Sequence, residues 1–527
     1  MEWRIGKMKL RLQKCAICLS AMFLIASTEQ SGAFALLGPI QPWMQTTNGV
    51  FFAGDIGGPM CISNGYRWNV PVVSYGFDQS FTNYFGTNGV VAVEGAIQIL
   101  NNLPPASQVV LTNYPVNSQY ANYEAQSLFL YDLKSEALSL LLEHMGLASP
   151  TRNIYVLKQW DSSLLPTYPN GFSSPLSWPD GTIPEFVLQR NYDPQTLNAS
   201  PYINENLYSA YIDIQSNQYL MVPFNVVLDG ESYTAVADFP QSPVNNYSTG
   251  YGIFYKGLTY DDVGGLAYLL STNNVNYETL LPSVVGTGTN ANSFVNSAWR
   301  PGVDKITFIQ QPVDSQSGTF LPTTNYYTDS YITNGILMQQ QVARVISQPD
   351  FLFSAGDVTS GSLGVPLYSR TGTSNWLNNA TANGNINGAG PGVIQPQVQI
   401  VFNKLGLQFY GGGNLSDEAP LTYESTRQSY GSFDGSTNSP IIYPVPQSGT
   451  DQFTVRMWLE MGTYPNLSAT SFAWKPTSAS GAQFLFQTST NLTDWVILST
   501  NSNDGSVATY FLNNPKSASR FYRLIPQ

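Results

Sequence analysis

The stretch Ser139 to Pro150 reads SLLLEHMGLASP and marks the end of an amphipathic helix. Apolar residues recur three or four positions apart over the preceding turns, and a glycine follows the last of them. This spacing predicts a helix from about Leu133 to Met145, with Gly146 at its C-terminal cap, because helices often end at a left-handed glycine. Its inward-facing residues are expected to be Leu138, Leu141, Leu142 and Met145.

One strand and two further helices are predicted nearby. The stretch Arg67 to Phe77 alternates and is rich in β-branched residues; its internal proline indicates a strand start or a sheet edge. Gly89 to Leu103 repeats apolar residues with a helical period, after a cap at Thr87 or Asn88. Tyr260 to Leu270 begins with two aspartates, which favour a helix N-terminus because the helix dipole is positive there.

Four segments, in this order, resemble parts of the matrixin-type metzincin metalloproteases. Residues 68–103 are similar to the first strand and helix of that family, and SLLLEHMGLASP resembles its active-site helix and glycine turn. The segment Leu220-Met221-Val222-Pro223 is similar to the methionine turn, and residues 257–270 to the closing helix. The resemblance implies an N-terminal α/β domain with three main helices on a twisted sheet.

The zinc motif of that family is degenerate in this sequence. The motif needs two histidines four residues apart, a glutamate after the first as general base, and a third histidine three residues after the turn glycine. With Gly146 as the turn glycine, Ser139 and Glu143 occupy the positions of the first two histidines. Leu140 occupies the position of the base, and Ser149 that of the third histidine. Only Glu143 could bind zinc. The only histidine of the chain, His144, is one position out of register, so the resemblance implies a catalytically inactive scaffold.

Three of these residues also have an ordinary structural interpretation. His144 would be stabilised by the negative end of the helix dipole. Glu143 would be a solvated helix residue, and Met221 would fill the core. These interpretations involve no catalysis.

The first 35 residues are typical of a secretory signal peptide. Five basic residues precede an apolar run from Cys15 to Ser27, and Ala33-Phe34-Ala35 provides a small-residue cleavage signal, so a cut before Leu36 is expected. The alternative is an uncleaved membrane anchor, but the run is shorter than the roughly 18 residues that span a bilayer. The protein is therefore expected to be secreted and extracellular or held at the cell surface.

Composition narrows the range of partners. Without residues 1–35 the chain keeps 17 basic and 32 acidic residues, which argues against nucleic acids and anionic membranes as partners. It keeps one cysteine, Cys61, and no histidine pair, which removes internal disulfides, Ser-His-Asp and Cys-His catalysis, and histidine-rich metal sites. We expect an inert, buried thiol at Cys61.

The C-terminal half is expected to be β-rich. From about Asn273 short apolar alternations are separated by turn residues, as in Val398 to Tyr410, which is typical of sandwich-type domains. Gly372 to Pro391 is rich in Gly and Asn and is predicted to be a loop or linker. The last 55 or so residues resemble a small β-sandwich module found at the C-termini of secreted proteins of environmental bacteria, which implies display or sorting; an ordinary terminal β domain is the alternative.

The predicted architecture is multidomain, with a metzincin-like α/β domain followed by β-rich sandwich-type domains. The expected divisions are a signal peptide (1–35), the α/β domain (36–275), a β- and loop-rich middle region (276–390), a β-rich domain (391–460) and the C-terminal module (461–527).

Function is expected to be non-enzymatic binding, display or structural support, with no cofactor. An extracellular protein or carbohydrate is the expected ligand, since Tyr and Trp offer apolar contact surface at low entropic cost, and self-assembly through strand edges is a further expectation. The alternative is a secreted glycosidase that uses two carboxylates, for which Asp161 and Asp180 have aromatic neighbours. A weak calcium candidate is Asp434, Ser436 and Asn438, which would otherwise form an Asx-type turn.

Overall fold

The computed structural model shows a strand-rich molecule with several sheets and few helices. Residues 159–173 and 176–186, which include Asp161 and Asp180, lie outside the described part of the chain, as do residues 1–31. The described residues are 32–45, 50, 56–158, 174–175, 187–215, 218–226, 235–238, 250–288, 291, 294–314, 317–356, 370–378, 392–403, 405–409, 423–427, 430–444, 455–461, 469–476, 483–489, 494–502, 508–511 and 521–526.

The described α-helices lie between residues 79 and 270. The α-helices are α1 (Gln79–Asn101), α2 (Tyr123–Ser127), α3 (Leu133–His144), α4 (Pro150–Asn153) and α5 (Tyr260–Leu270). Short 3-10 helices are Ile62–Asn64, Ala106–Gln108, Leu111–Asn113 and Val236–Asp238. Within the described ranges, none of the helices has the length and apolar character needed to cross a lipid bilayer.

The described strands extend from residue 34 to residue 526. In chain order they are β1 Phe34–Gly38, β2 Gly58–Met60, β3 Val72–Phe77, β4 Gln119–Ala121, β5 Tyr131–Asp132, β6 Leu147–Ala148, β7 Val156–Leu157, β8 Ser174–Pro175, β9 Val187–Leu188, β10 Asn191–Tyr192, β11 Tyr202–Ile203, β12 Asn206–Gln215, β13 Gln218–Asn225, β14 Ile253–Tyr255, β15 Asn276–Thr279, β16 Val284–Gly286, β17 Ser297–Arg300, β18 Thr307–Gln310, β19 Thr323–Thr333, β20 Ile336–Ile346, β21 Phe351–Gly356, β22 Arg370–Asn378, β23 Gly392–Asn403, β24 Leu405–Phe409, β25 Tyr423–Arg427, β26 Tyr430–Ser432, β27 Ile441–Ile442, β28 Val455–Met461, β29 Ala469–Pro476, β30 Gln483–Ser489, β31 Val496–Ser502, β32 Ala508–Phe511 and β33 Phe521–Pro526.

Two five-stranded sheets form the centre. The mixed sheet has the order β18-β3-β21-β23-β22, in which the first four strands run parallel and β22 pairs antiparallel with β23. The antiparallel sheet has the order β15-β17-β19-β20-β16. A smaller sheet places β1 beside β2, β6 and β10.

Helices α1 and α3 pack against each other and against the mixed sheet. The Asp78 side chain caps α1 by accepting a hydrogen bond from the Phe81 N–H at 2.9 Å. Phe81 and Phe85 then contact Phe402 of β23, with ring centroids 5.8 Å apart in both cases. A contiguous core follows, because these rings are fully buried.

The helix predictions hold, with one difference in length. Helix α5 has the predicted bounds, with a capping box between Thr259 and Asp262, and α3 ends one residue before its expected end. Helix α1 starts ten residues before Gly89, because Asp78 provides an earlier cap. Gly86 has a φ of 61° inside α1, so the predicted helix corresponds to the part after this kink.

The expected boundaries near residues 275 and 390 do not coincide with breaks in the fold. The mixed sheet joins β3 to strands from both later regions, and β26 pairs with β5. Residues 372–378, expected in a loop, belong to β22. Parallel pairing explains the difference, because it joins strands that are distant in sequence.

The C-terminal part consists of two three-stranded antiparallel sheets. Their orders are β28-β29-β32 and β31-β30-β33. Strand β28 starts at Val455, so the unit begins before the expected boundary at residue 461.

Candidate functional site

Two of the three motif positions of α3 lie in the core. Ser139 and Leu140 are each 1% exposed, and Glu143 is half-buried. Gly146 follows the helix with a φ of 107°, and a Cβ at this position would lie 2.2 Å from the Tyr66 carbonyl oxygen. The helix therefore ends as predicted, in a turn that only glycine fits.

His144 is a fully buried residue at the end of α3. Its Nδ1 lies 2.8 Å from the Leu140 carbonyl oxygen, which can only accept, so Nδ1 carries a proton. The Trp68 indole N–H donates to the His144 backbone oxygen at 2.9 Å, and the Phe351 ring meets the imidazole edge-on. These contacts fix the imidazole inside the packing between α3 and the mixed sheet.

Ser149, at the position of a third zinc ligand, has a capping role. Its hydroxyl donates to Asp238 Oδ1 at 2.5 Å, and its oxygen accepts from the Arg152 N–H at 3.2 Å, which caps α4. Met221 lies within β13, paired with Ile212, rather than in the expected turn. It packs against a small separate core cluster, in agreement with the structural interpretation of this methionine.

Three buried carboxylates lie around the first turn of α5 and are called the acidic cluster: Asp238, Asp261 and Asp262. Each is at most 3% exposed. Asp261 and Asp262 are the pair predicted at this helix start. Asp238 comes from a 3-10 turn whose role the sequence did not reveal, because a turn aspartate has no distinctive spacing.

Hydrogen-bond donors surround two of these carboxylates. Asp262 accepts from the backbone N–H groups of Val236, Ala237 and Thr259 at 2.9 to 3.1 Å, and from the Thr259 hydroxyl at 2.6 Å. Asp238 accepts from the Ser149 hydroxyl and from the N–H and hydroxyl of Thr151, the last at 2.7 Å. The acidic cluster thus ties α5, α4 and the Val236–Asp238 turn together.

Burial raises the pKa of all three carboxyls. The pKa of Asp238 rises to about 6 through burial, against the donors from Ser149 and Thr151. The pKa of Asp261 rises well above its usual value through burial, and the neighbouring Asp262 and Asp238 add to the effect. The pKa of Asp262 is also raised, mainly by burial. The arrangement can hold protons but is closed to solvent.

The described residues contain no group of three or more His, Cys, Asp or Glu arranged to hold a metal ion. The calcium candidate is an exposed turn, in which Asp434 Oδ1 accepts from the Ser436 N–H at 2.9 Å and Ser436 Oγ from the Asn438 N–H at 3.3 Å. These bonds are those of the Asx-type alternative. Cys61 is half-buried beside Ser63 rather than buried as expected, with its Sγ 3.4 Å from the Ser63 hydroxyl.

The antiparallel sheet buries its charged side chains on one face and exposes several apolar side chains on the other. Its inner face holds the buried side chains Glu278, Arg300, Asp329, Gln340 and Arg344. Its outer face is defined by Tyr277, Val285, Trp299, Tyr326, Ile332, Leu337 and Val345, which cross-strand register places on one side. Trp299 is 50% exposed and Tyr326 75% exposed. Exposed apolar surface of this kind often marks an interaction site.

Comparison with known proteins gives no relative. No family model, no curated protein and no solved structure matches this chain.

Proposed function

We propose that this chain is a secreted, non-catalytic extracellular or cell-surface protein, built on a degenerate metzincin-like scaffold and used for binding. The observation that carries the proposal is the burial of Ser139 and Leu140 at 1% exposure, within a helix packed against the mixed sheet. A catalytic helix must present its ligands and its base to substrate, whereas these positions contact the core.

The outer face supports the binding role. Its Trp299 and Tyr277 rings meet edge-on with centroids 5.8 Å apart, and aromatic residues of this kind are enriched where proteins contact partners. The charged residues of the same sheet point inward. We infer that a second copy of the chain covers this face.

The first test is the metal content of the purified protein by ICP mass spectrometry, with a peptidase assay on the same sample. We expect no stoichiometric zinc and no activity that a chelator removes. The Glu143→Gln variant is the matched control, because Glu143 is the only motif position that could ligate zinc. Stoichiometric zinc that this variant loses would overturn the proposal.

A second test addresses the outer face. Sedimentation velocity over a range of concentrations should show self-association that Trp299→Ser and Tyr326→Ser abolish. Tyr123→Ser is the control, since Tyr123 is 80% exposed on α2, outside the antiparallel sheet. The inference of a second copy would be overturned if the protein stayed monomeric at all concentrations. If a screen then found no protein that binds it, binding to a glycan array would identify a carbohydrate as the ligand.

A further inference from the structure

The first described strand is completely buried. Strand β1 begins at Phe34 and pairs with β10, β2 and β6. Residues 33 to 35 are at most 2% exposed, and the Phe34 ring lies 5.6 Å from that of Tyr268 and 6.3 Å from that of Tyr192. Phe34 also packs against Gly265 of α5, where a Cβ would lie 2.9 Å from it.

This strand conflicts with a cut before Leu36. Such a cut would remove Phe34 and Ala35, which pair with Tyr192, Asn191 and Ala148. The aromatic contacts of Phe34 would go with them. A second small-residue signal lies two residues upstream, with Ser31 and Ala33 in place of Ala33 and Ala35. A cut after Ala33 leaves all of β1 in the mature chain.

Gly32 and Ala33, which precede the strand, lie beside Asp261 of the acidic cluster. A Cβ at Gly32 would lie 1.9 Å from Asp261 Oδ1, and the Ala33 N–H faces the same carboxylate. Asp261 Oδ2 accepts from the Asn204 N–H at 2.7 Å, but Oδ1 accepts no hydrogen bond of ordinary geometry. Asp261 is fully buried, and the charged groups that influence it, Asp262 and Asp238, are of its own sign. A buried carboxylate of this kind keeps its proton unless a cation pairs with it.

We propose that signal peptidase cuts between Ala33 and Phe34, and that the new α-ammonium of Phe34 pairs with Asp261. Water adds across the peptide bond, so that Ala33 leaves with a carboxylate and Phe34 keeps an ammonium. The cut occurs during export, before β1 is buried. The ammonium lies one residue, about 3.8 Å along the chain, from the amide that now faces Asp261, and is charged at neutral pH because its pKa is about 8. This inference rests on the export in the proposed function.

The direct test is the intact mass and N-terminal sequence of the full chain exported from a bacterial host. We expect a single form that begins with Phe34. A chain that begins with Leu36, or with any other residue after an efficient cut, overturns this inference but leaves export standing. A chain that keeps its leader inside the cell overturns both.

The ammonium pair is tested by a double-variant cycle on thermal unfolding. The exported protein is compared with a cytoplasmic form in which a fused polar extension precedes Gly32, so that neither Gly32 nor Phe34 carries an ammonium. We expect the exported form to melt a few degrees higher, and Asp261→Asn to remove that difference. Asp434→Asn should leave it unchanged, because Asp434 is exposed in a distant turn. A difference that survives Asp261→Asn would overturn the pair.

Discussion

Two regions of this protein bury carboxylates in different ways. Around the antiparallel sheet, buried arginines meet them: Arg67 Nε lies 2.7 Å from Glu278 Oε1, Arg300 Nε lies 2.9 Å from Asp329 Oδ1, and Arg344 pairs with Asp350. In the acidic cluster, only hydroxyl and backbone N–H groups donate to Asp238 and Asp262.

The difference separates two sources of stability. In an arginine pair the carboxylate has a cation beside it, so removal of the arginine leaves an uncompensated buried charge. A carboxylate held by neutral donors can take up a proton instead, which makes the acidic cluster a pH-sensitive region. The following predictions test that division.

Arg344→Met should have the largest effect. Arg344 of β20 donates to both oxygens of Asp350, which also accepts from the N–H of Ser74 in β3 at 2.8 Å. Asp350 directly precedes β21, so this carboxylate joins three strands. Its loss leaves Asp350 buried and unpaired, and we expect about 3–5 kcal/mol less free energy of unfolding in denaturant titrations. Arg344→Met with Asp350→Asn should recover part of this loss. A loss below about 1 kcal/mol for the single variant would contradict the division.

Asp262→Ala should have the next largest effect. Four donors lose their acceptor, two of them from the cap of α5. We expect a loss of about 3 kcal/mol in the free energy of unfolding, since each buried donor left unsatisfied is costly. Asp262→Asn keeps one acceptor oxygen and should lose less. Equal losses in the two variants would show that the charge, rather than the hydrogen bonds, stabilises this turn.

The pH dependence of stability should identify Asp238. Its folded pKa of about 6 exceeds the usual 3.8, so the folded state binds the extra proton between these values. Stability from this group is present below pH 4 and lost as the pH rises through 6. We expect wild type to lose about 2 kcal/mol relative to Asp238→Asn between pH 4 and 7. The free energy of unfolding is measured for both proteins by denaturant titration at each pH. If the two pH curves run parallel, the pH dependence comes from a group other than Asp238.

Asp434→Asn should have the smallest effect. Asp434 is exposed, and its pKa is lowered by its hydrogen bonds with Ser436. Asparagine keeps the oxygen that accepts from the Ser436 N–H, so we expect a change below about 0.5 kcal/mol in the free energy of unfolding. Calcium should not raise the melting temperature of wild type above that of this variant. A calcium-dependent rise would restore the metal interpretation of the turn.

Local features of the fold were predictable from the sequence, and non-local features were not. Helices α3 and α5 follow from apolar spacing and from caps at Gly146 and Asp262, which act within one turn. The mixed sheet pairs β3 with β18 and β21, and no local pattern encodes such partners. Pairings of this kind cross the expected boundaries near residues 275 and 390.

The same division holds for the candidate site. The motif positions of α3 could be predicted from their spacing to Gly146. The location of Asp261 and Asp262 in the first turn of α5 could be predicted from the pattern of a helix start. The contribution of Asp238 depends on Ser149 and Thr151, which lie 87 to 89 residues away. The burial of the charged side chains of the antiparallel sheet was also hidden, because alternation does not reveal which face is covered.

The place of β3 in the mixed sheet sets the order in which this chain can fold. The bond between Ser74 and Asp350 closes a loop of 276 residues, so β3 leaves the ribosome long before its neighbours exist. Contacts this distant slow folding and expose apolar strands to aggregation in the meantime. We expect the N-terminal part to depend on chaperones until β23 has emerged, and chains truncated before residue 392 to be insoluble.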